Sequence, residues 1–166
     1  MPVFKQRLEN EVETVAFGRL LGKQLSTGGR VYIRGDLGAG KTTLCRGILR
    51  CFGHQGAVKS PTFTLVEPYE LTRQTIYHFD LYRLGHPNEL EYIGIDDYFQ
   101  PGNLCLVEWP ERALDALPQC DLEVTLIIVD RIRLLELTPC SDLGDRICRN
   151  LQLRDHQVGE VDNESA

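Results

Sequence analysis

The stretch RVYIRGDLGAGKTTLCRGILRCFG, residues 30–53, runs from an apolar strand through a glycine-rich turn into a helical pattern. The spacing from Gly35 to Gly40, Lys41 and Thr42 fits G-x-x-x-x-G-K-[ST]. In such a loop backbone N–H groups wrap phosphates, the lysine reaches the outer ones and the threonine hydroxyl ligates Mg²⁺. Val31, Tyr32 and Ile33 supply the strand, while Leu44, Ile48 and Leu49 lie near helical spacing and aim one apolar face back at a sheet. Strand before and helix after are the context that separates this motif from a plain glycine-rich connection. The loop takes in Gly35, Asp36, Leu37, Gly38, Ala39, Gly40, Lys41, Thr42 and Thr43, and the helix opening at Lys41 turns the positive end of its dipole toward the phosphates.

The chain has 166 residues, 42% of them hydrophobic, enough to bury one good core. We expect a single domain over residues 1–153 and a polar, flexible tail over 154–166. A net charge of −6 argues against a broad electrostatic footprint for DNA or RNA. Contact with RNA is therefore expected only through a partner. The start MPVFKQRLEN lacks an apolar signal core, and no run approaches the roughly 18 apolar residues of a membrane span, so a cytoplasmic protein is expected. Cys45, Cys51, Cys105, Cys120, Cys140 and Cys148 form no C-x-x-C and read as reduced thiols, several inside apolar patterns.

NEVETVAFGRLLGKQL predicts an amphipathic helix capped by Asn10. After the loop helix and a Gly-rich linker, FTLVEPYEL and TIYHFDLY read as an antiparallel pair joined at TRQ, on the edge of the sheet. HPNELEYIGIDDYF reads as short helical pieces, and NLCLVEW as a buried strand ending in an acid. Pro110 and ERALDAL allow a helix stopped by Pro118. DLEVTLIIV and RIRLLELT predict two strands joined near Asp130 and Arg131, and SDLGDRICRNLQL a last helix capped by Ser141. The fold class is α/β: a P-loop NTPase-like sandwich with a central mixed, mostly parallel sheet flanked by helices.

A phosphate loop needs an acid at the end of a neighbouring strand to organise Mg²⁺ and water. Asp80 and Glu108 both close strands, and Glu108 fits better because its strand reads as central and parallel. Each has a plainer alternative: Glu108 paired with an arginine, Asp80 fixing the turn after its strand. Ser60, Pro61, Thr62 and Thr64 could close over a γ-phosphate or simply start a strand, and spacing alone leans to the latter. Trp109 either stacks near a nucleotide or fills the core, the commoner fate. His78 reads as a satisfied, half-buried histidine rather than a base. Arg112, Arg131 and Arg133 are candidate phosphate contacts, though surface arginines are usually solvated. No Asn-Lys-x-Asp occurs, which makes adenine the default base.

Together, GDLGAGKTT, SPTFTLVEPY, HFDLYRL, ELEYIGIDDYF and LVEWPER resemble the signature set of the bacterial TsaE (YjeE-like) family, densely from Gly35 to Arg112 and more weakly beyond. The resemblance implies an ATPase of the tRNA threonylcarbamoyladenosine pathway that binds ATP or ADP with Mg²⁺ and serves the TsaD and TsaB pair, where TsaD makes the transfer. It would meet tRNA only through those partners, and its ATP cycle would reset the assembly between turnovers. On matching positions, Thr42 is the implied Mg²⁺ ligand, Asp80 the acid of HxDxYRL and Glu108 the metal-associated or water-orienting acid. Lys41, Asp80 and Glu108 are the implied catalytic residues. Thr14 on the first helix and Arg133 on a late strand would lie near the nucleotide, and the SPT segment with Thr62 resembles the family's mobile switch. Two other readings stay open. A small-molecule kinase would usually need an arginine-rich lid, and Arg112 is the only arginine between residues 100 and 130. A nucleotide-dependent interaction module without turnover would need only occupancy.

Overall fold

The computed structural model describes residues 3–164. Seven strands form one sheet: β1 (Phe4–Leu8), β2 (Gly29–Arg34), β3 (Val66–Glu70), β4 (Thr75–Asp80), β5 (Leu104–Glu108), β6 (Leu122–Val129) and β7 (Ile132–Pro139). Their order is β1-β7-β6-β2-β5-β4-β3. β2, β4, β5 and β6 are mutually parallel, and antiparallel partners close both edges. Five of the seven strands thus point the same way, so their carboxyl ends open on one side.

One face of the sheet is covered by α1 (Glu11–Lys23), α2 (Lys41–Cys51) and α5 (Asp142–Glu164). Val31, Ile33, Leu104, Leu106, Val124 and Leu137 meet Leu21, Leu44, Ile48 and Ile147 there. The other face carries α3 (Glu89–Tyr92), α4 (Ile95–Tyr98) and the segment after β5, around Tyr32, Phe79 and Val107. The result is the expected three-layer sandwich. α1 and α2 approach backbone to backbone: a Cβ on Gly47 would lie 2.3 Å from the Val15 carbonyl oxygen, and one on Gly18 2.5 Å from that of Leu44.

Asn10 caps α1, its side chain accepting from the Glu13 amide at 2.9 Å. The β3–β4 hairpin and the turn at Asp130 and Arg131 fall where the sequence puts them. Three elements differ. β1 is an edge strand whose three central residues, Lys5, Gln6 and Arg7, are polar, so it carries little strand signal; Phe4 and Leu8 anchor it. The helix expected from ERALDAL is absent. Trp109 enters the segment left-handed (φ 58°), a 3₁₀ turn spans Pro110–Arg112, and Ala113 at φ −151° breaks the path while its side chain is buried. The last helix extends to Glu164, into the stretch read as a tail. All six cysteines are free. Among the described residues no helix is long and apolar enough to cross a membrane.

Candidate functional site

Between β2 and α2 the chain turns at the open end of the sheet. Gly40, at φ 102°, takes a left-handed conformation open to glycine at no steric cost and immediately precedes the helix. It offers no side-chain cap, and the first turn of α2 holds no acid. The leading N–H groups and the positive end of the helix dipole are therefore left for an external anion. Lys41 is 5% exposed and its ammonium donates to the carbonyl oxygens of Gly35 at 2.5 Å and Asp36 at 2.8 Å. Burial lowers its pKa, opposed by the nearby Glu108 and Asp80 carboxylates. The ammonium also lies 4.4 Å from the centre of the Trp109 ring.

Two strands deliver acids beside the loop. Asp80 and Glu108 are register partners at the ends of parallel β4 and β5. Along these strands Ile76, His78 and Asp80 share a face with Leu104, Leu106 and Glu108, because alternate residues point the same way. The face is apolar at Ile76, Leu104 and Leu106 and turns polar at His78, one pleat before the two acids. The Thr42 hydroxyl lies 3.1 and 3.0 Å from the two oxygens of Glu108, which is 2% exposed. No arginine pairs with Glu108 among the described residues; its second partner is His78, with Nε2 2.5 Å from Oε2. Asp80 splits its duties. Oδ1 accepts from the Tyr82 amide at 2.9 Å, the turn-fixing role, while Oδ2 takes the Ser60 hydroxyl and, at 3.5 Å, that of Thr62. Burial raises the Asp80 pKa, partly offset by the Tyr82 amide.

A cleft of about 300 Å³ gathers Lys41, Thr42, Thr43, Thr62, Asp80, Glu108 and Trp109, with Leu37, Gly38 and Gly40 on its loop side. Hydroxyl and carboxylate oxygens from Thr42, Asp80 and Glu108 are hard donors of the kind Mg²⁺ prefers, so the residues present fit that ion. Other candidates stand at the rim or behind it. Thr14 is buried in α1 with its hydroxyl donating to the Asn10 carbonyl at 3.0 Å, its methyl facing Gly40. Arg133 donates to the Gly38 carbonyl at 3.2 Å, tying β7 to the loop. Gly35 and Ala39 pack inward, a Cβ on Gly35 falling 2.7 Å from the Leu126 carbonyl oxygen. Arg112 lies over the Tyr82 and Trp109 rings, while Arg131 is exposed at the β6–β7 turn.

The family model described as Threonylcarbamoyl adenosine biosynthesis protein TsaE matches residues 8–133, from the end of β1 to the start of β7. The chain belongs to the TsaE family. The tRNA threonylcarbamoyladenosine biosynthesis protein TsaE of Haemophilus influenzae is 46% identical over 152 residues, 89% of this chain and 96% of that protein. Its Bacillus subtilis counterpart is 34% identical over 157 residues, 94% and 98% of the two chains. The crystal structure of Bacillus subtilis YdiB matches with a TM-score of 0.77 at 29% identity, covering 93% of this chain and 97% of that one. The TsaE family resemblance drawn from the motifs is thereby established, together with the P-loop-like α/β fold.

For this TsaE family member, His78 is the residue the motif reading underrated. It is fully buried rather than half-buried, and its Nδ1 has no hydrogen-bond partner. A signal was available: His78 stands two residues before Asp80 on a strand whose inward face is otherwise apolar, hence on the same side as the acid. Tyr82 is a second unassigned member, lining the cleft with its ring 4.9 Å from that of Trp109.

Proposed function

We propose that this protein binds ATP with Mg²⁺ in the cleft and hydrolyses it, acting in the cytoplasm as a nucleotide-driven switch for a complex of TsaB and TsaD in tRNA threonylcarbamoyladenosine formation. The observation that carries the reading is the meeting of the Thr42 hydroxyl with the Glu108 carboxylate beside Lys41, at the uncapped start of α2. Bound Mg²⁺ would be held by Thr42 and Glu108, with Asp80 alongside, and would supply charge neutralisation at the phosphate oxygens.

The protein's own groups do the rest. Lys41 exchanges the Gly35 and Asp36 carbonyls for phosphate oxygens and offsets the charge that develops as water attacks in line. The loop amides hold the phosphates in place. Glu108, held by Thr42 and His78, orients the water or the metal. Ser60 and Thr62, tethered to Asp80, form a segment whose position depends on what Asp80 binds. A net charge of −6 suits a switch that leaves tRNA to its partners.

The test is phosphate release from ATP by the purified protein, alone and with TsaB and TsaD, with Lys41→Ala as the blank. Turnover that is low alone and rises with the pair is expected, and Glu108→Ala is expected to abolish it. A rate indifferent to the pair would refute the switch role, and unchanged turnover in Glu108→Ala would remove that residue from the mechanism.

A further inference from the structure

Among the buried polar groups, His78 is the one that the loop motif leaves without a task. Its ring is fully buried in a row with Ile76, Leu104 and Leu106, each of them also fully buried. Burying an imidazole there costs free energy unless both nitrogens are satisfied. Only one is: Nε2 meets Glu108 Oε2 at 2.5 Å, while Nδ1 has no partner. A leucine would fill the place with no orphaned atom. Local rules are broken in this way most often where a site requires it.

The geometry shows what the site gains. A carboxylate oxygen accepts hydrogen bonds, so the nitrogen that faces Glu108 Oε2, Nε2, is the one assigned the hydrogen, and Nδ1 is left without a partner. Glu108 is gripped from two sides, by Thr42 from α2 and by His78 from β4. The two grips differ in origin. Thr42 can offer a lone pair to a cation while its hydrogen stays on Glu108, whereas the fully buried His78 holds the same carboxylate from the neighbouring strand. Cys45, one turn along α2 from Thr42, completes a buried group whose donor atoms lie within 4.8 Å of one another. Its thiol is pushed well above its usual range by burial and adds no charge beside the pair.

We propose that His78 is a positioning residue, whose Nε2–H holds the Glu108 carboxylate in the orientation needed when Mg²⁺ and nucleotide occupy the cleft. This rests on the reading of the cleft as a Mg²⁺-nucleotide site. Partners of metal-binding groups typically contribute 10–100-fold to affinity or activity.

The experiment is calorimetric titration of ADP, with and without Mg²⁺, into the full-length wild type, His78→Leu and His78→Gln. His78→Leu is expected to bind ADP without Mg²⁺ as the wild type does, and to lose about 10–100-fold of the gain that Mg²⁺ confers. His78→Gln, which can place an amide N–H near the position of Nε2, is expected to recover much of that gain. If the wild type gains from Mg²⁺ and His78→Leu gains equally, the positioning role is refuted while the cleft reading survives. If the wild type gains nothing from Mg²⁺, the cleft reading fails first and this inference with it. Should the leucine variant not fold, the wild type still decides: a long-range ¹H–¹⁵N spectrum showing hydrogen on Nε2 supports the role, and hydrogen on Nδ1 alone overturns it.

Discussion

Alanine at position 47 would place its Cβ 2.3 Å from the Val15 carbonyl oxygen and 2.9 Å from the Gly18 Cα, across the closest approach of α1 and α2. Both neighbours are backbone, so no side chain can swing aside. Restoring ordinary contact, at about 3.4 Å, means parting the helices by about 1 Å, a gap that forfeits up to about half of each dispersion contact it opens. Two effects compete. Alanine improves the helix propensity of α2 by about 1 kcal/mol. Overpacking opposes it by about 3 kcal/mol, the upper end of the usual range because the clash is with backbone. The net loss of about 2 kcal/mol corresponds to a fall in Tm of about 4–8 °C for a chain of this size. Thermal unfolding followed by calorimetry measures it. Because α2 begins at Lys41, parting the helices also shifts Lys41 and Thr42 against Glu108, and ADP binding with Mg²⁺ is expected to weaken in the same variant. A Tm equal to or above that of the wild type would show that α1 and α2 slide apart without cost, and the packing argument would be wrong.

Trp109 is the only tryptophan, and Lys41 lies over its ring, so nucleotide that draws the ammonium away is expected to change its emission. A flat fluorescence titration under conditions where calorimetry detects binding would refute that movement. Asp80→Ala removes the acceptor that holds Ser60 and Thr62, and the Leu65 amide, bonded to the Pro61 carbonyl at 2.8 Å, is expected to exchange hydrogen about tenfold faster or more. Unchanged exchange would mean that the segment is held by its own turn.

The loop was legible because its determinants are local: nine consecutive residues carry both the spacing and the helix start. β5 was legible for another reason, since a strand buried on both faces must be apolar throughout until its last residue, and LCLV followed by Glu108 says where the site begins. What sequence could not supply is register. Asp80 opposite Glu108, and His78 one pleat behind, depend on how β4 pairs with β5 across 23 intervening residues. The tie from Arg133 to Gly38 likewise spans a separation that no pattern encodes. The missing helix after Trp109 has a different cause. ERALDAL has helical propensity, but burial of Ala113 and Leu117 against Tyr32 and Phe79 decides the path, and tertiary contact overrides a seven-residue preference.

The ammonium of Lys41 is already satisfied by two loop carbonyls before any ligand arrives. An incoming anion therefore competes with the protein for its own lysine, and the net gain is the difference between two sets of charge-assisted bonds rather than the whole of one. Ligands with a single phosphate should profit little from that trade, while a chain of phosphates that also engages the amides of the loop can exceed it. On the proposed nucleotide reading, the self-closed loop would act as a threshold, sorting visitors by how many contacts they can make at once.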